Sequence, residues 1–430
     1  MEKILQNLEE AINCDLTQVP INQYWNDGET KELKMHSIHS YPAKFPAFIA
    51  EKAISYAEER IGNVLTVCDI FCGCGTVALE AYRRGLDFWG CDINPVAALI
   101  ATVKSNCYNI DKFKKYYSMI TENLENINVN KNDYSTANSR LKYWYKEEQY
   151  LDLLKLKNAI NELPNSKYKK AFLCIFSSIL KSTSVWLTKS IKPQVDPKKI
   201  PCDVNMAFQK ATNNFIKIIS TEQTKSDSKI VIENCNFLKK KNLPQVDLIV
   251  TSPPYVTSYE YADLHQLSSL WLDFTDDYTK LRKGTIGSVY NSEDYYFEIM
   301  DLNETATRVV NALYENKNVS KAKVKSVARY YIDMQNATNK CFNILSDNGL
   351  ACYVIGDTEY KGIRIENAKH LVESLLRSGF SKVNISKRKI SNKILSPYRD
   401  ENGKFSSDHS KRQIYHEEYV IMAYKKTGGQ

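Results

Sequence analysis

Val67-Cys68-Asp69-Ile70-Phe71-Cys72-Gly73-Cys74-Gly75-Thr76 is an apolar strand that runs into a glycine-bearing turn and then into a helix-like stretch, Val77 to Arg84, closed by Gly85. Glycines at a strand-to-helix turn take up backbone angles that a Cβ forbids and let a ligand approach the main chain closely. A Gly-x-Gly turn alone is common. Here it is followed by Phe88-Trp89-Gly90-Cys91-Asp92, a second short strand ending in an acid, and by Asn94-Pro95, a cap and first-turn proline that open another helix. In open α/β sheets an acid at the end of the second strand commonly accepts hydrogen bonds from the two hydroxyls of a ribose. The ligand implied so far is a nucleoside.

A second strand end carries different chemistry. Thr251-Ser252-Pro253-Pro254-Tyr255 sits directly behind the apolar run Val246-Asp247-Leu248-Ile249-Val250. Each proline fixes its own φ, removes an N–H and pushes the preceding residue into an extended conformation, so the carbonyls are left free. A planar amine presented edge-on could give one hydrogen to the Ser252 hydroxyl and another to the Pro253 carbonyl, while Tyr255 stacks on its face. A stiff turn with a core tyrosine fits the same five residues. The five residues need the glycine turn as a second motif before they read as a site for a flat base with an exocyclic amine.

Together these residues resemble the S-adenosylmethionine-dependent amino-methyltransferases of DNA. Asp69-x-Phe71-x-Gly73-x-Gly75-Thr76 is similar to their motif I, and Ser252-Pro253-Pro254-Tyr255 to their motif IV in the form typical of cytosine-N4 enzymes. His39-Ser40-Tyr41-Pro42-Ala43-Lys44-Phe45-Pro46 is similar to motif X, which packs against the methionine end of the cofactor. The resemblance implies S-adenosylmethionine as cofactor, held by Tyr41, Lys44, Asp69, Phe71, Gly73, Gly75, Thr76 and Asp92. It implies Ser252, Pro253, Pro254 and Tyr255 as the catalytic residues and double-stranded DNA as the partner. A companion restriction endonuclease acting separately is a further family expectation.

The third strand departs from the family pattern. Lys229 to Leu238 reads Glu233-Asn234-Cys235-Asn236 where the family shows a glycine and then an aspartate. Asn236 matches the aspartate position best, and its side-chain oxygen would accept from the cofactor's adenine amine. Serine before Pro-Pro favours cytosine-N4 as the target. Adenine-N6 offers the same kind of amine and stays open, as does a non-catalytic nucleic-acid-binding subunit with the same fold.

The expected fold is α/β: a Rossmann-like methyltransferase sheet, mostly parallel with an antiparallel edge strand, plus a helical insertion subdomain. Gly349 to Gly356 reads as the fifth strand, and Val383 to Ile390 with Glu418 to Tyr424 as a final pair containing the antiparallel edge. Residues 1–30 read as a lead-in, 31–107 with 229–430 as the catalytic domain, and 108–228 as the insertion and candidate DNA-recognition subdomain. That insertion is far longer than a crossover helix requires. Three segments combine cations, hydroxyls and glycines in a way that suits phosphates: 181–193 with Lys189 and Lys192, 281–288 with Arg282 and Lys283, and 396–413 with Arg399.

Composition limits the alternatives. The 430 residues are 43% apolar, enough for one large core and an added subdomain. No stretch approaches the roughly twenty apolar residues needed to span a bilayer, and the amino terminus lacks a charged-then-apolar signal, so a cytoplasmic location is expected. The eleven cysteines lack a CxxC pair with a matching second pair, so they read as small apolar residues and no metal is expected. The net charge of +8 suits a phosphate backbone without requiring one.

Overall fold

A strand covered on both faces carries apolar residues at every position, its alternate side chains entering different cores. The computed structural model describes residues 2–26, 31–222, 226–256, 260–290, 301–390, 398–399, 405–406, 408, 412–413 and 417–426, and its central strands are of this kind. On Leu345–Ile355, the residues Leu350, Cys352 and Val354 enter one core. Ala351, Tyr353 and Ile355 of the same strand enter the other.

The strands in chain order are β1 Lys3–Leu5, β2 Thr66–Asp69, β3 Asp87–Asp92, β4 Ile230–Asn234, β5 Val246–Thr251, β6 Leu345–Ile355, β7 Thr358–Tyr360, β8 Ile363–Ile365, β9 Lys382–Lys389, β10 Tyr398–Arg399, β11 Phe405–Ser406, β12 Arg412–Gln413 and β13 Glu417–Tyr424. Eight of them form one sheet in the order β1-β9-β13-β6-β5-β2-β3-β4. The pairings from β4 through β6 are parallel. β13 runs antiparallel to both of its neighbours, β6 and β9. The antiparallel strand expected at the edge therefore lies inside the sheet. The edge itself is β1, antiparallel to β9, whose three residues are too few to show a pattern in the sequence. This is a Rossmann-like α/β sheet with a packed core on each face.

Between β3 and β4 the chain makes Pro95–Lys104 and then six further helices: Ile110–Asn126, Lys131–Ser135, Ser139–Trp144, Glu147–Asn161, Lys167–Ile179 and Val204–Thr221. They share an aromatic core in which Phe113 stacks on Phe172 at 4.4 Å and on Phe215 at 5.2 Å. Trp271, from the short helix Gln266–Trp271 that follows the Pro-Pro segment, inserts into this core against Tyr145, Tyr150 and Phe176. The helices are thus tied directly to the segment just beyond β5.

Candidate functional site

In a parallel sheet the carboxyl ends of all strands lie along one edge, where the connecting turns can surround a ligand. β2 pairs with β5 in the register Val67↔Leu248 and Cys68↔Ile249, so the glycine turn and the Pro-Pro segment leave the sheet side by side. The two are joined by a hydrogen bond: Thr251 Oγ1 donates to Asp69 Oδ1 at 2.6 Å. The same carboxylate oxygen accepts from Phe71 N at 3.0 Å.

The turn is shaped by its glycines. Gly73 and Gly75 adopt φ of +50° and +77°, a region that favours glycine. A Cβ on Gly75 would stand 2.6 Å from Ala101 Cα, because the helix Pro95–Lys104 crosses there in close contact. A Cβ on Gly73 would stand 3.6 Å from the ring of Tyr41, so the 39–46 segment covers the turn as a lid of one tyrosine. Tyr41 in turn lies parallel to His265, at 5.0 Å, and to Tyr261, at 6.4 Å. Both follow Tyr255 in the chain, so three separate segments meet at this edge.

Asp92 closes the turn from β3. Its two oxygens accept from Gly73 N and Asn94 N, each at 2.8 Å. Burial raises the Asp92 carboxyl from 3.8 to about 6, against the pull of those two N–H donors. Burial likewise raises Asp69 to about 7, opposed by the bonds from Thr251 and Phe71 and reinforced by the charge on Asp92. Two carboxyls that pay this desolvation cost make a setting that favours a cation, as a sulfonium ligand would be. Thr76, 2% exposed at the start of the helix Thr76–Arg83, has a hydroxyl with no hydrogen-bond partner among the described residues. An orphan hydroxyl beside a glycine cradle fits a bound nucleoside cofactor.

At the Pro-Pro corner, neither the Ser252 hydroxyl nor the Pro253 carbonyl makes a hydrogen bond to a described residue. Tyr255 is half-buried, and its hydroxyl donates to Glu418 Oε2 at 3.2 Å. Glu418 also accepts, through Oε1, from Arg388 Nε at 3.0 Å, and Arg388 is 2% exposed. Burial, and then the Glu418 charge, holds the Tyr255 hydroxyl protonated far above its ordinary range. A Cβ on Gly356, just past β6, would lie 3.3 Å from the Tyr255 hydroxyl oxygen. Gly356, Arg388 and Glu418 escape a reading of the sequence, because Arg388 and Glu418 meet only through the β9–β13 register.

Other predicted residues sit differently. Asn236 lies in the turn after β4; its oxygen closes that turn on Leu238 N at 2.9 Å and its amide donates to Gly284 O at 3.3 Å. It ties the third-strand turn to the 284–288 loop and keeps one acceptor lone pair. Phe71 packs against the sheet core. Lys44 is paired with Glu32 at 2.5 Å. Arg282 gives both Nε and Nη2 to Asp263 Oδ1, while Lys189, Lys192 and Lys283 are exposed. Arg399 is on β10, but its side chain lies outside the described residues, as does most of 396–413. Among the described residues no His, Cys, Asp or Glu cluster could hold a metal, and no helix is long and apolar enough to cross a membrane.

Residues 4–103 match the profile of the N6/N4 DNA methylase family, a span that includes Tyr41, the glycine turn and Asp92. The type II methyltransferase M.MvaI of Kocuria varians is 25% identical over 397 residues, covering 85% of each chain. The type II methyltransferase M.MjaII of Methanocaldococcus jannaschii is 35% identical over 81 residues, 19% of this chain and 15% of that protein. Among solved structures, the rRNA methyltransferase AviRa of Streptomyces viridochromogenes is 9% identical over 86% of this chain and 95% of its own, with a TM-score of 0.25, too low to bear on the fold. The chain is thus similar to the N4/N6 DNA methylases over residues 4–103 and to a type II methyltransferase over most of its length, relatives of a kind that take their methyl group from S-adenosylmethionine.

Proposed function

We propose that this protein is a site-specific DNA methyltransferase whose target is the exocyclic N4 amine of a cytosine turned out of the duplex. The observation that carries the reading is the Thr251–Asp69 hydrogen bond, which holds the amine-gripping corner against the cofactor turn. When bound, S-adenosylmethionine supplies an electrophilic methyl carbon on a sulfonium. Asp69, the glycine turn, Thr76 and Tyr41 would hold it, and Asp92 would accept from the ribose hydroxyls.

The amine itself is a poor nucleophile because its lone pair is conjugated with the ring. Ser252 Oγ and the Pro253 carbonyl accept its two hydrogens, which favours a tetrahedral nitrogen and turns the lone pair outward. Ser252 positions the nitrogen and forms no bond to it. Turning the base out of the stack costs a few kcal/mol. Stacking on Tyr255 offsets this by about 1–3 kcal/mol. Alignment of the two reacting atoms then supplies most of the rate, on the order of 7–11 kcal/mol in well-oriented systems.

Serine at the head of the Pro-Pro motif supports cytosine over adenine, and the type II names of both relatives support a sequence-specific enzyme. The reading includes the 108–228 helices as the DNA-recognition subdomain, a cytoplasmic location and a companion restriction endonuclease acting separately. Nucleoside analysis of DNA from cells expressing the chain should reveal N4-methylcytosine at one short sequence. N6-methyladenine in its place would move the reading to the adenine enzymes, and unmodified DNA would end it.

Asp92 makes the reading pH-dependent in a defined direction. Because its folded pKa of about 6 exceeds the ordinary 3.8, the carboxyl favours folding below 3.8 and this contribution is lost as pH rises through about 6. Ligand binding runs the other way, since only the ionised form is a full acceptor for two hydroxyls. Affinity for S-adenosylmethionine, measured by calorimetry, should rise between pH 5 and 7. Asp92→Asn should weaken binding by about ten- to a hundredfold and flatten that rise, the loss of one charge-assisted hydrogen bond being worth about 1.5–3 kcal/mol. Equal affinity in the variant would remove Asp92 from the ribose site.

A further inference from the structure

We infer that duplex DNA lies along a strip of stacked arginines and tyrosines that joins the helices between β3 and β4 to the loop beside Tyr255. The inference rests on the DNA-methylating reading above and adds the surface on which the duplex is held.

The strip is continuous. Arg140, in the helix Ser139–Trp144, places its guanidinium 4.9 Å from the Tyr143 ring and 5.5 Å from the Tyr278 ring. Arg282 stands 5.7 Å from the same Tyr278 ring and 4.4 Å from that of Tyr290. Tyr143 and Tyr290, at the two ends, are 55% and 56% exposed, so each shows most of a ring to solvent. From Tyr290 the chain leads straight to the catalytic corner. Tyr290 N donates to Ser288 Oγ at 3.1 Å, and a Cβ on the neighbouring Gly287 would lie 3.8 Å from Tyr255 O.

The arginines are fixed in place from beneath. Gln266 is fully buried, and its Oε1 accepts from Arg140 Nε at 2.6 Å and from Trp144 Nε1 at 2.9 Å. Its Nε2 donates to Asp263 O at 2.8 Å, the residue whose carboxylate takes Arg282. Gln266 therefore fixes the Arg140 guanidinium directly and the Asp263 carboxylate fixes that of Arg282, which removes rotamer entropy that a contact would otherwise cost. Among the described residues the two Nη groups of Arg140 have no hydrogen-bond partner, and its guanidinium is held over the rings by the Nε bond alone.

Charge selects the occupant. Two carboxylates near the strip are engaged by cations, Asp263 by Arg282 and Asp276 by Lys280 at 2.7 Å, while Glu260 accepts from Ser288 Oγ and Asp277 from Thr279. Lys283 is exposed beside the strip. Trp186 stacks on Trp144 at 4.8 Å and so brings the 187–192 segment, with exposed Lys189 and Lys192, next to it. Arg140, with no acidic partner among the described residues, and the exposed lysines beside the open aromatic rings match a phosphate backbone whose sugars and displaced bases need a stacking surface.

The test is fluorescence anisotropy of a labelled duplex of arbitrary sequence, titrated with the full chain at several salt concentrations. Tyr143→Ala and Tyr290→Ala should each weaken binding about tenfold. Arg140→Gln should reduce the slope of log affinity against log salt by about one. Melting temperature and S-adenosylmethionine affinity should stay unchanged in the two exposed-tyrosine variants, so the strip stays testable on them even if the arginine variant, which loses the bond to buried Gln266, folds poorly. Unchanged affinity and slope in all three, or a wild-type chain that does not bind duplex, would overturn the strip. A change in self-association by light scattering, with DNA binding intact, would assign it to contacts between copies instead and also overturn it. Methyl transfer by the wild type, assayed in parallel, separates the two ideas: transfer with unaffected variants ends only the strip, whereas absent transfer with variants that bind as expected ends only the catalytic reading.

Discussion

Tyr255→Ala is expected to lower methyl transfer to DNA by about a hundredfold or more while leaving S-adenosylmethionine affinity within about twofold. The estimate has two parts. Loss of a ring that stacks on an extruded base costs about 1–3 kcal/mol. Loss of the wall that aims the amine costs more, because small misplacements of reacting atoms reduce rates by about a hundredfold. The cofactor turn is untouched, since Asp69, Asp92 and Thr76 all belong to other elements. The environment of the ring gives a graded series. Tyr255→Phe keeps the stack and loses only the bond to Glu418, and Glu418→Gln keeps a weaker acceptor in that place, so both should fall between wild type and the alanine variant. Ser252→Ala should also lower turnover without weakening cofactor binding. A parallel loss of cofactor affinity in Tyr255→Ala, measured by calorimetry, would contradict the division of labour between the two corners.

Gly75→Val should be the most disruptive single change in the site, and its effect is on the fold before it is on chemistry. A side chain at φ +77° costs about 1–3 kcal/mol in backbone strain alone. The Cβ would also overlap Ala101 at 2.6 Å, backbone that cannot swing aside, adding about 1–3 kcal/mol for overpacking. Gly62 is the internal control. It has φ of +81° but open space where a Cβ would go, so Gly62→Val should show the strain without the clash. Thermal melts should rank wild type above Gly62→Val and that above Gly75→Val, and only the last should lose cofactor binding. Equal melting temperatures in the two variants would mean that the close approach of the Pro95–Lys104 helix contributes nothing.

The parts of the site legible in the sequence are those whose chemistry is local. The glycine turn, Asp92 and the Asn94-Pro95 cap announce themselves because each needs particular backbone angles or donors within a few residues. Ser252 to Tyr255 do so because consecutive prolines leave carbonyls with nowhere to bond. What depends on strand register stays hidden. Arg388 and Glu418 are thirty residues apart and become partners only when β9 and β13 align, and Gly356 matters only because the Tyr255 ring reaches it. β1 is invisible since three residues cannot display a period, and its presence puts β13 inside the sheet instead of at the edge. Asn236 was matched by alignment of strand ends, yet β4 stops at Asn234 and leaves it in a turn, with its oxygen bonded to Leu238. The arginine–tyrosine strip draws on segments more than a hundred residues apart, which no local pattern could join.

The Thr251–Asp69 bond joins the proposed amine-holding corner to the proposed cofactor turn. A crystal structure of the chain with S-adenosylmethionine and a duplex containing its target would test this most directly. The methyl carbon is expected between the 69–76 turn and Ser252, with the cytosine nitrogen about 3–3.5 Å away and its hydrogens directed at Ser252 Oγ and Pro253 O. A cofactor seated elsewhere than the 69–76 turn, or a target base that never reaches Ser252, would contradict it.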